Sequence, residues 1–292
     1  MMEKDNALLR AAKNGDLSKV NALLKDGANA NAKDRDSYSV LHWAVQGGFW
    51  HICNALLKRG ADSNARDNEG FVPLEISASK GFVGIFNLLL KHGADIHVQR
   101  GGFTPLHASA VSGSKEIAAT LLSSGIDPNS KDVSGTGRTA LHWASQEGHI
   151  AVAKLLLKRG TRINETDENG FTSLHIAVSE GHYNLTRLFL ECRAQVNAKD
   201  GTGGTPLHSA CAWNHRAIIE LLIDHGADIN ATDKEGCSPI FFAVIYGYAE
   251  LVRLLLQKGA STTIQNRKGE TPKAIASKTR QQNIVRLLNR SR

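Results

Sequence analysis

The sequence predicts an all-α fold, a solenoid of stacked helix-turn-helix units with projecting β-hairpin loops. The main observation is an internal repeat, in which an aliphatic residue recurs at intervals of 32 to 35 residues. A second observation is that each period holds two short apolar segments at helical spacing, followed by residues that favour turns. The repeated aliphatic positions are Leu8, Leu41, Leu74, Leu106, Leu141, Leu174, Leu207 and Ile240.

The first helix of a unit has start and stop signals. A Thr-Pro pair such as Thr104-Pro105 predicts a helix start, because the hydroxyl can cap free amides and proline fits the first turn. Seven residues after the aliphatic position, Gly113 or its counterpart Asn214 predicts the helix end, since both tolerate a left-handed backbone. The prolines that share this frame are Pro73, Pro105, Pro206, Pro239 and Pro272.

The second helix and the loop complete each unit. Residues 150–160, IAVAKLLLKRG, place apolar residues at helical spacing and end on glycine. Residues 227–236, ADINATDKEG, are rich in Asp, Asn and Gly and predict a turn or hairpin. One unit is therefore predicted to be helix, turn, helix and projecting loop.

Three segments carry a resemblance to a known family. TPLHASA (104–110), TALHWASQEGHIAVAKLLLKRG (139–160) and TPLHSAC (205–211) resemble ankyrin repeats, and the resemblance covers essentially the whole chain. It implies one continuous solenoid closed at both ends by units with a more polar outer face. The implied segments are an N-terminal capping repeat over 1–37, seven repeats over 38–269, and C-terminal capping helices with a basic tail over 270–292.

Charge and cysteine usage limit the classes of function. The net charge of +7 lies in residues 267–292, which hold eight Lys or Arg and one acid, whereas residues 1–266 are neutral with 27 charges of each sign. The N-terminus lacks a signal-peptide pattern, and no apolar stretch is long enough to span a membrane. The four cysteines form no CxxC pair. We expect a cytoplasmic location; the nucleus, or a host cytosol for a secreted effector, are alternatives.

Histidines are the candidate catalytic groups, and five of them follow the repeated leucine. The resemblance implies that each imidazole bridges the capping hydroxyl and neighbouring backbone. Equivalent histidines in successive helices lie too far apart to share a metal ion. Motifs for phosphate, dinucleotide, serine-hydrolase or zinc-protease sites do not occur. The chain is therefore predicted to be non-enzymatic, with no cofactor and no metal. The five histidines are His42, His107, His142, His175 and His208.

Several departures from the repeat are also informative. Trp43 and Trp143 follow two of these histidines and are predicted to be buried apolar residues rather than ligand-stacking ones. Glu75 and Phe241 replace the histidine in two units, which removes its bridge. A shortened loop at residues 97–103 and a lengthened one at 130–138 favour a specialised binding groove.

The resemblance implies that partners bind to the concave face, which is formed by loop tips and the ends of the first helices. Tyr, Trp and Arg dominate binding hot spots, so aromatic residues at these positions are the main functional signal. Phe103 and Arg138 flank the loops of unusual length and are the preferred centre of the site, although a loop phenylalanine can equally pack on the adjacent loop. The predicted partner-binding residues are Tyr38, Phe71, Phe103, Arg138, Phe171, Trp213 and Tyr246.

The predicted function is a monomeric protein-interaction scaffold or adaptor, and two alternatives remain. One is a receptor for a nucleotide or oligonucleotide, which the neutrality of residues 1–266 disfavours; the other is an intracellular microbial effector that docks host proteins. The chain can also be a substrate, since its loop asparagines resemble those hydroxylated in ankyrin proteins. The candidate asparagines are Asn31, Asn64, Asn129, Asn164, Asn197 and Asn230.

Overall fold

The computed structural model describes residues 3–133 and 135–290 of the chain. Ser134 of the lengthened loop and Ser291 and Arg292 of the basic tail lie outside the described residues, as do the first two residues. Across the described ranges the chain forms eighteen helices and no named strand. The prediction of an all-α fold built from helix pairs is confirmed.

Helices follow one another in pairs, and the first helix of most pairs has seven residues where the second has nine. The first helices are α1 (Glu3–Lys13), α3 (Val40–Gln46), α5 (Pro73–Ser79), α7 (Pro105–Ser112), α9 (Ala140–Gln146), α11 (Ser173–Ser179), α13 (Pro206–Ala212), α15 (Pro239–Ile245) and α17 (Pro272–Lys278). The second helices are α2 (Leu17–Lys25), α4 (Trp50–Lys58), α6 (Val83–Lys91), α8 (Lys115–Ser123), α10 (Ile150–Lys158), α12 (Tyr183–Glu191), α14 (Arg216–Asp224), α16 (Ala249–Gln257) and α18 (Gln282–Arg290).

The pairs group into two compact units. Residues Met1–Thr161 form the first unit, which contains α1 to α10, and Arg162–Arg292 form the second, which contains α11 to α18. In the first unit, neighbouring first helices pack on one another from α1 to α9, and neighbouring second helices pack from α2 to α10. In the second unit, first helices pack in the same way from α11 to α17. The repeated leucines lie in these contacts and are almost fully buried, so apolar burial holds the stacked pairs together.

The first helices start and stop where the sequence predicts. At five N-termini the capping residue is Ser or Thr and the residue three positions on is histidine, which forms a reciprocal capping box. Gly113 ends α7 in the left-handed region with φ 71°. Asn214 takes the glycine position of its pair with φ 57°. Arg280 takes the glycine position of the last pair with φ 59°. This left-handed backbone conformation is strained for a residue that has a Cβ atom.

Loop asparagines join neighbouring pairs within each unit. The Asn64 amide donates to the Gly93 carbonyl over 2.9 Å, and its oxygen accepts the Asp95 N–H over 2.7 Å. Asn31, Asn197 and Asn230 repeat both contacts with the next pair, and the Asn164 oxygen accepts the Gln195 N–H. These amides therefore have a structural role. Hydroxylation of the six asparagines stays a prediction.

Most projecting loops are turns closed by an aspartate rather than extended hairpins. In the first loop, Asp34 Oδ1 accepts the N–H groups of Asp36 and Tyr38. Because these amides bond to the side chain, strand pairing in the described residues is limited to isolated antiparallel bridges. The bridges join Lys33 to Ser39, Arg100 to Phe103, and Thr166 to Thr172.

Candidate partner-binding surface

The histidines of the first helices are fixed by contacts on both ring nitrogens. His42 Nδ1 accepts the N–H of Ser39 over 3.2 Å and lies 2.7 Å from its hydroxyl. Nδ1 is therefore unprotonated, and Nε2 carries the proton that it donates to the Phe71 carbonyl over 3.1 Å. The predicted bridge between the capping hydroxyl and the backbone is present. Equivalent Nε2 contacts link His107 to Ser130, His175 to Gly204, and His208 to Cys237.

Burial keeps these imidazoles neutral. Loss of solvation is the largest effect and lowers the pKa of the four rings, while hydrogen bonds to carbonyls and nearby aspartates oppose it. A ring whose two nitrogens are occupied has no free lone pair or proton for catalysis. The affected residues are His42, His107, His175 and His208.

The prediction that Trp43 and Trp143 are ordinary buried apolar residues is wrong, because both are only half-buried. Trp43 Nε1 donates to Asp34 over 2.9 Å, and Trp143 Nε1 donates to Asp132 over the same distance. An indole N–H needs an acceptor, so each ring stands at the base of the preceding loop rather than in the apolar core. The Lys13 amine lies 4.0 Å from the Trp43 ring centroid. These tryptophans hold loops against their own helices.

Glu75 takes the place of a histidine and is nearly fully buried. Its Oε1 lies 3.5 Å from Arg100 Nη2, and the Arg100 guanidinium lies 3.8 Å from the Phe71 ring centroid. Burial raises the Glu75 pKa, and Arg100 opposes this rise. Arg100 occupies the position that is aspartate in most of the other loops and asparagine at Asn266. The histidine bridge is therefore replaced by an ion pair.

Most predicted loop aromatics contact their own repeat and are half-buried. The ring centroid of Tyr38 lies 4.7 Å from that of His42. Phe103 lies 5.3 Å from His107, and Phe171 lies 5.8 Å from His175. Each of these rings presents one part to its histidine and leaves the remainder accessible.

Phe103 and Arg138 meet at Trp143. The Phe103 ring contacts Trp143 edge-on at 6.0 Å, and the Arg138 guanidinium lies 5.2 Å from the Trp143 centroid. Arg138 also donates to Gln146. The lengthened loop folds around the buried Asp132 carboxylate, which accepts the Thr136 hydroxyl as well as the indole N–H. The two residues predicted as the centre of the site thus also support the loop.

The second unit exposes the ends of its first helices. Trp213 is 65% exposed and Tyr246 is 55% exposed, at equivalent positions just after α13 and α15. Ile245, beside Tyr246, is 45% exposed. A cavity of about 260 Å³ next to Trp213 is also lined by Ser179, Glu180 and His215.

The first unit has a larger cavity, of about 460 Å³, lined by two consecutive loops and the ends of α3 and α5. Its apolar lining residues are Tyr38, Phe71 and Ile76, and its acidic ones are Asp36, Asp67 and Glu69. The sequence analysis did not include these acidic residues among the predicted partner-binding residues. Their signal was the presence of acids at corresponding positions of two successive loops.

Comparison with known proteins assigns the chain to a family. The family described as "Ankyrin repeats (3 copies)" matches residues 8–100, 133–200, 159–233 and 228–291. The family described as "Ankyrin repeats (many copies)" matches residues 107–157. The chain belongs to the ankyrin repeat family. Ankyrin repeats are generally protein–protein interaction modules and generally not enzymes.

Similarity of these ankyrin repeats to curated proteins is local. The chain is 41% identical over 71 residues to alpha-latrotoxin-Lg1a of Latrodectus geometricus. It is 39% identical over 70 residues to the ANK repeat-containing protein nipk-1 of Caenorhabditis elegans. Each match covers 24% of this chain, but only 5% and 12% of those proteins.

The described part of the ankyrin repeat chain holds few groups suited to chemistry. No cluster of three or more His, Cys, Asp or Glu side chains there could hold a metal ion. Burial raises the pKa of the Cys53 thiol to about 12, which makes it a poor nucleophile. Among the helices of the described residues, none combines the length and the apolar character that crossing a membrane requires.

Proposed function

We propose that this ankyrin repeat chain is a non-enzymatic scaffold or adaptor that binds partner proteins, as a cytoplasmic monomer. The proposed recognition surface consists of the loop tips and the C-terminal ends of the first helices in each unit. It includes the seven residues predicted from the sequence, and we include Ile245 as well because it is exposed beside Tyr246. The seven are Tyr38, Phe71, Phe103 and Arg138 in the first unit, and Phe171, Trp213 and Tyr246 in the second.

The observation that carries this proposal is the exposure of Trp213, Ile245 and Tyr246. Exposed large apolar side chains grouped on one surface are a mark of interaction sites, and Trp and Tyr are the residues most enriched among binding hot spots. Their repeat positions at helix ends are not needed for packing, because the core of each pair is filled by other residues. A contribution to binding explains why such large apolar groups remain in solvent.

The test is a quantitative capture experiment with purified protein and lysate of the source cells. We expect the double variant Trp213→Ala/Tyr246→Ala to capture at least tenfold less of a protein that the wild type captures specifically. Tyr183→Ala is the matched control, since Tyr183 is 40% exposed at the start of α12, a second helix. Equal capture by the wild type and the double variant would remove the second-unit surface from the proposal.

A further inference from the structure

The cavity of the first unit combines an apolar lining with a negative rim. Its volume of about 460 Å³ is within the range of about 300–1,000 Å³ that is usual for ligand pockets. Tyr38 and Phe71 are half-buried and contribute aromatic surface, and Ile76 contributes aliphatic surface. The cavity can therefore accommodate a planar or apolar group of a ligand against these side chains.

The charges around the cavity favour a cation. Asp36 and Glu69 are exposed, and their carboxylates make no hydrogen bond or ion pair with the described residues. Asp67 adds a third carboxylate, although one of its oxygens closes the turn by accepting the N–H groups of Glu69 and Phe71. Among the lining residues, Lys80 is the single cation.

Two nearby observations agree with a negative potential. The pKa of the Tyr38 phenol is raised to about 12, first by burial and then by the charges of Asp67 and Asp34. Outside the lining, Arg100 pairs with Glu75, and Arg66 donates to the Gly70 carbonyl. Among the lining residues, three carboxylates thus outweigh the one lysine.

We propose that this cavity binds an arginine side chain from an extended segment of a partner protein. The guanidinium would lie against Tyr38 or Phe71 and donate to the carboxylates of Asp36 and Glu69. Arginine suits the site better than lysine, because its planar group stacks on aromatic rings and donates to carboxylates in a fork. The chain already shows this preference, since the Arg100 guanidinium lies over Phe71.

The acidic pair is particular to these two loops. Asp36 and Glu69 hold the third position of their turns, where the loops of the second unit have Asn169, Thr202, Glu235 and Lys268. The second unit therefore never has acids at this position in successive loops. The inference rests on the proposed function only in taking the partner to be a protein; it uses none of the residues at the exposed helix ends.

The test uses a phage-displayed library of random twelve-residue peptides, selected against four forms of the full chain. These are the wild type, the cavity variant Asp36→Asn/Glu69→Gln, the control variant Glu3→Gln/Glu116→Gln, and the helix-end variant Trp213→Ala/Tyr246→Ala. Both exchanges in the cavity variant remove charge at nearly constant shape from exposed side chains, so folding should be unaffected. Glu3 and Glu116 are exposed acids of the same unit outside the cavity lining.

We expect the wild type, the control and the helix-end variant to enrich peptides with an arginine, and the cavity variant to lose them. For the best peptide, measured by fluorescence polarisation, replacing arginine by citrulline or using the cavity variant should each weaken binding at least tenfold. Enrichment of the same peptides by the cavity variant, absence of any peptide specific to the wild type, or an unchanged affinity with citrulline would each overturn the proposal. Loss of arginine peptides only in the helix-end variant would also overturn the proposal. If the helix-end variant still enriches these peptides, the cavity binds them independently of the surface proposed for the second unit.

Discussion

Two serines occupy the same capping position in different repeats but have different partners. Ser39 Oγ lies 2.7 Å from His42 Nδ1 and accepts the His42 N–H over 3.2 Å. In the repeat that starts at Ser238 the histidine position is Phe241, and the buried Ser238 Oγ has no hydrogen-bond partner among the described residues. The substitutions Ser39→Ala and Ser238→Ala therefore measure what the histidine contributes to the cap.

The expected effects differ in size. Ser39→Ala removes a capping oxygen and leaves a buried imidazole with one contact fewer, which should cost about 1–2 kcal/mol of unfolding free energy. Ser238→Ala removes a hydroxyl that is buried without a partner, so its effect should lie between no change and a gain of about 1 kcal/mol. Since Ser39 is 2% exposed and Ser238 is 0% exposed, burial does not account for the difference.

Urea denaturation followed by circular dichroism gives the free energies. Amide hydrogen exchange in α3 and α15 then shows whether each loss occurs in the helix that carries the substitution. Equal destabilisation by the two substitutions would refute the reasoning, since the stabilisation would then come from any hydroxyl at the cap, irrespective of the histidine.

Three further predictions concern stability. The four histidines with lowered pKa values are neutral when folded, so stability should be fully present above their unfolded value of 6.5 and should fall as the pH drops through the lowered folded values. The slope is at most about 1.4 kcal/mol per pH unit for each histidine, and urea midpoints that do not change between pH 7.5 and 5 would contradict it. Asn64→Ala removes two hydrogen bonds between neighbouring pairs and should cost about 1–3 kcal/mol in urea unfolding, whereas Asn68→Ala, which removes no such bridge, should cost less than about 0.5. Arg280→Gly relieves a left-handed side chain and should raise stability by about 0.5–1 kcal/mol, whereas Arg280→Ala should give no gain in thermal unfolding.

The repeat and its helix boundaries could be predicted from the sequence because they depend on local rules. Proline, a capping hydroxyl and a left-handed glycine act on the backbone within a few residues, so their spacing alone places α7 and α13. The environment of the tryptophans does not follow from such rules. The helical position of Trp143 is compatible with a buried ring, but the acceptor that holds its N–H is Asp132, in a loop of unusual length.

The Glu75 pair shows the same limit. A buried carboxylate needs a positive partner, and the sequence marks both Glu75 and the shortened loop as irregular. That Arg100 of this loop neutralises Glu75 requires the stacking of one pair on the next, which the repeat period does not describe. The candidate binding residues show this limit as well. The position in the repeat is enough to select Trp213 and Tyr246 as candidates. The acidic cavity could not be predicted, because it depends on how two successive loops pack.

Most polar side chains that recur in the repeats form hydrogen bonds within the fold. Histidine nitrogens join a cap to the next loop, asparagine amides join successive pairs, and loop aspartates close the turns. Such groups cannot bind a partner without giving up a contact that stabilises the stack. Recognition should therefore use side chains that the repeat leaves free, at the third turn position and after the first helix. We therefore expect Asp36 and Glu69 to give the first unit a preference for a cation, and Trp213 and Tyr246 to give the second unit a preference for an apolar surface.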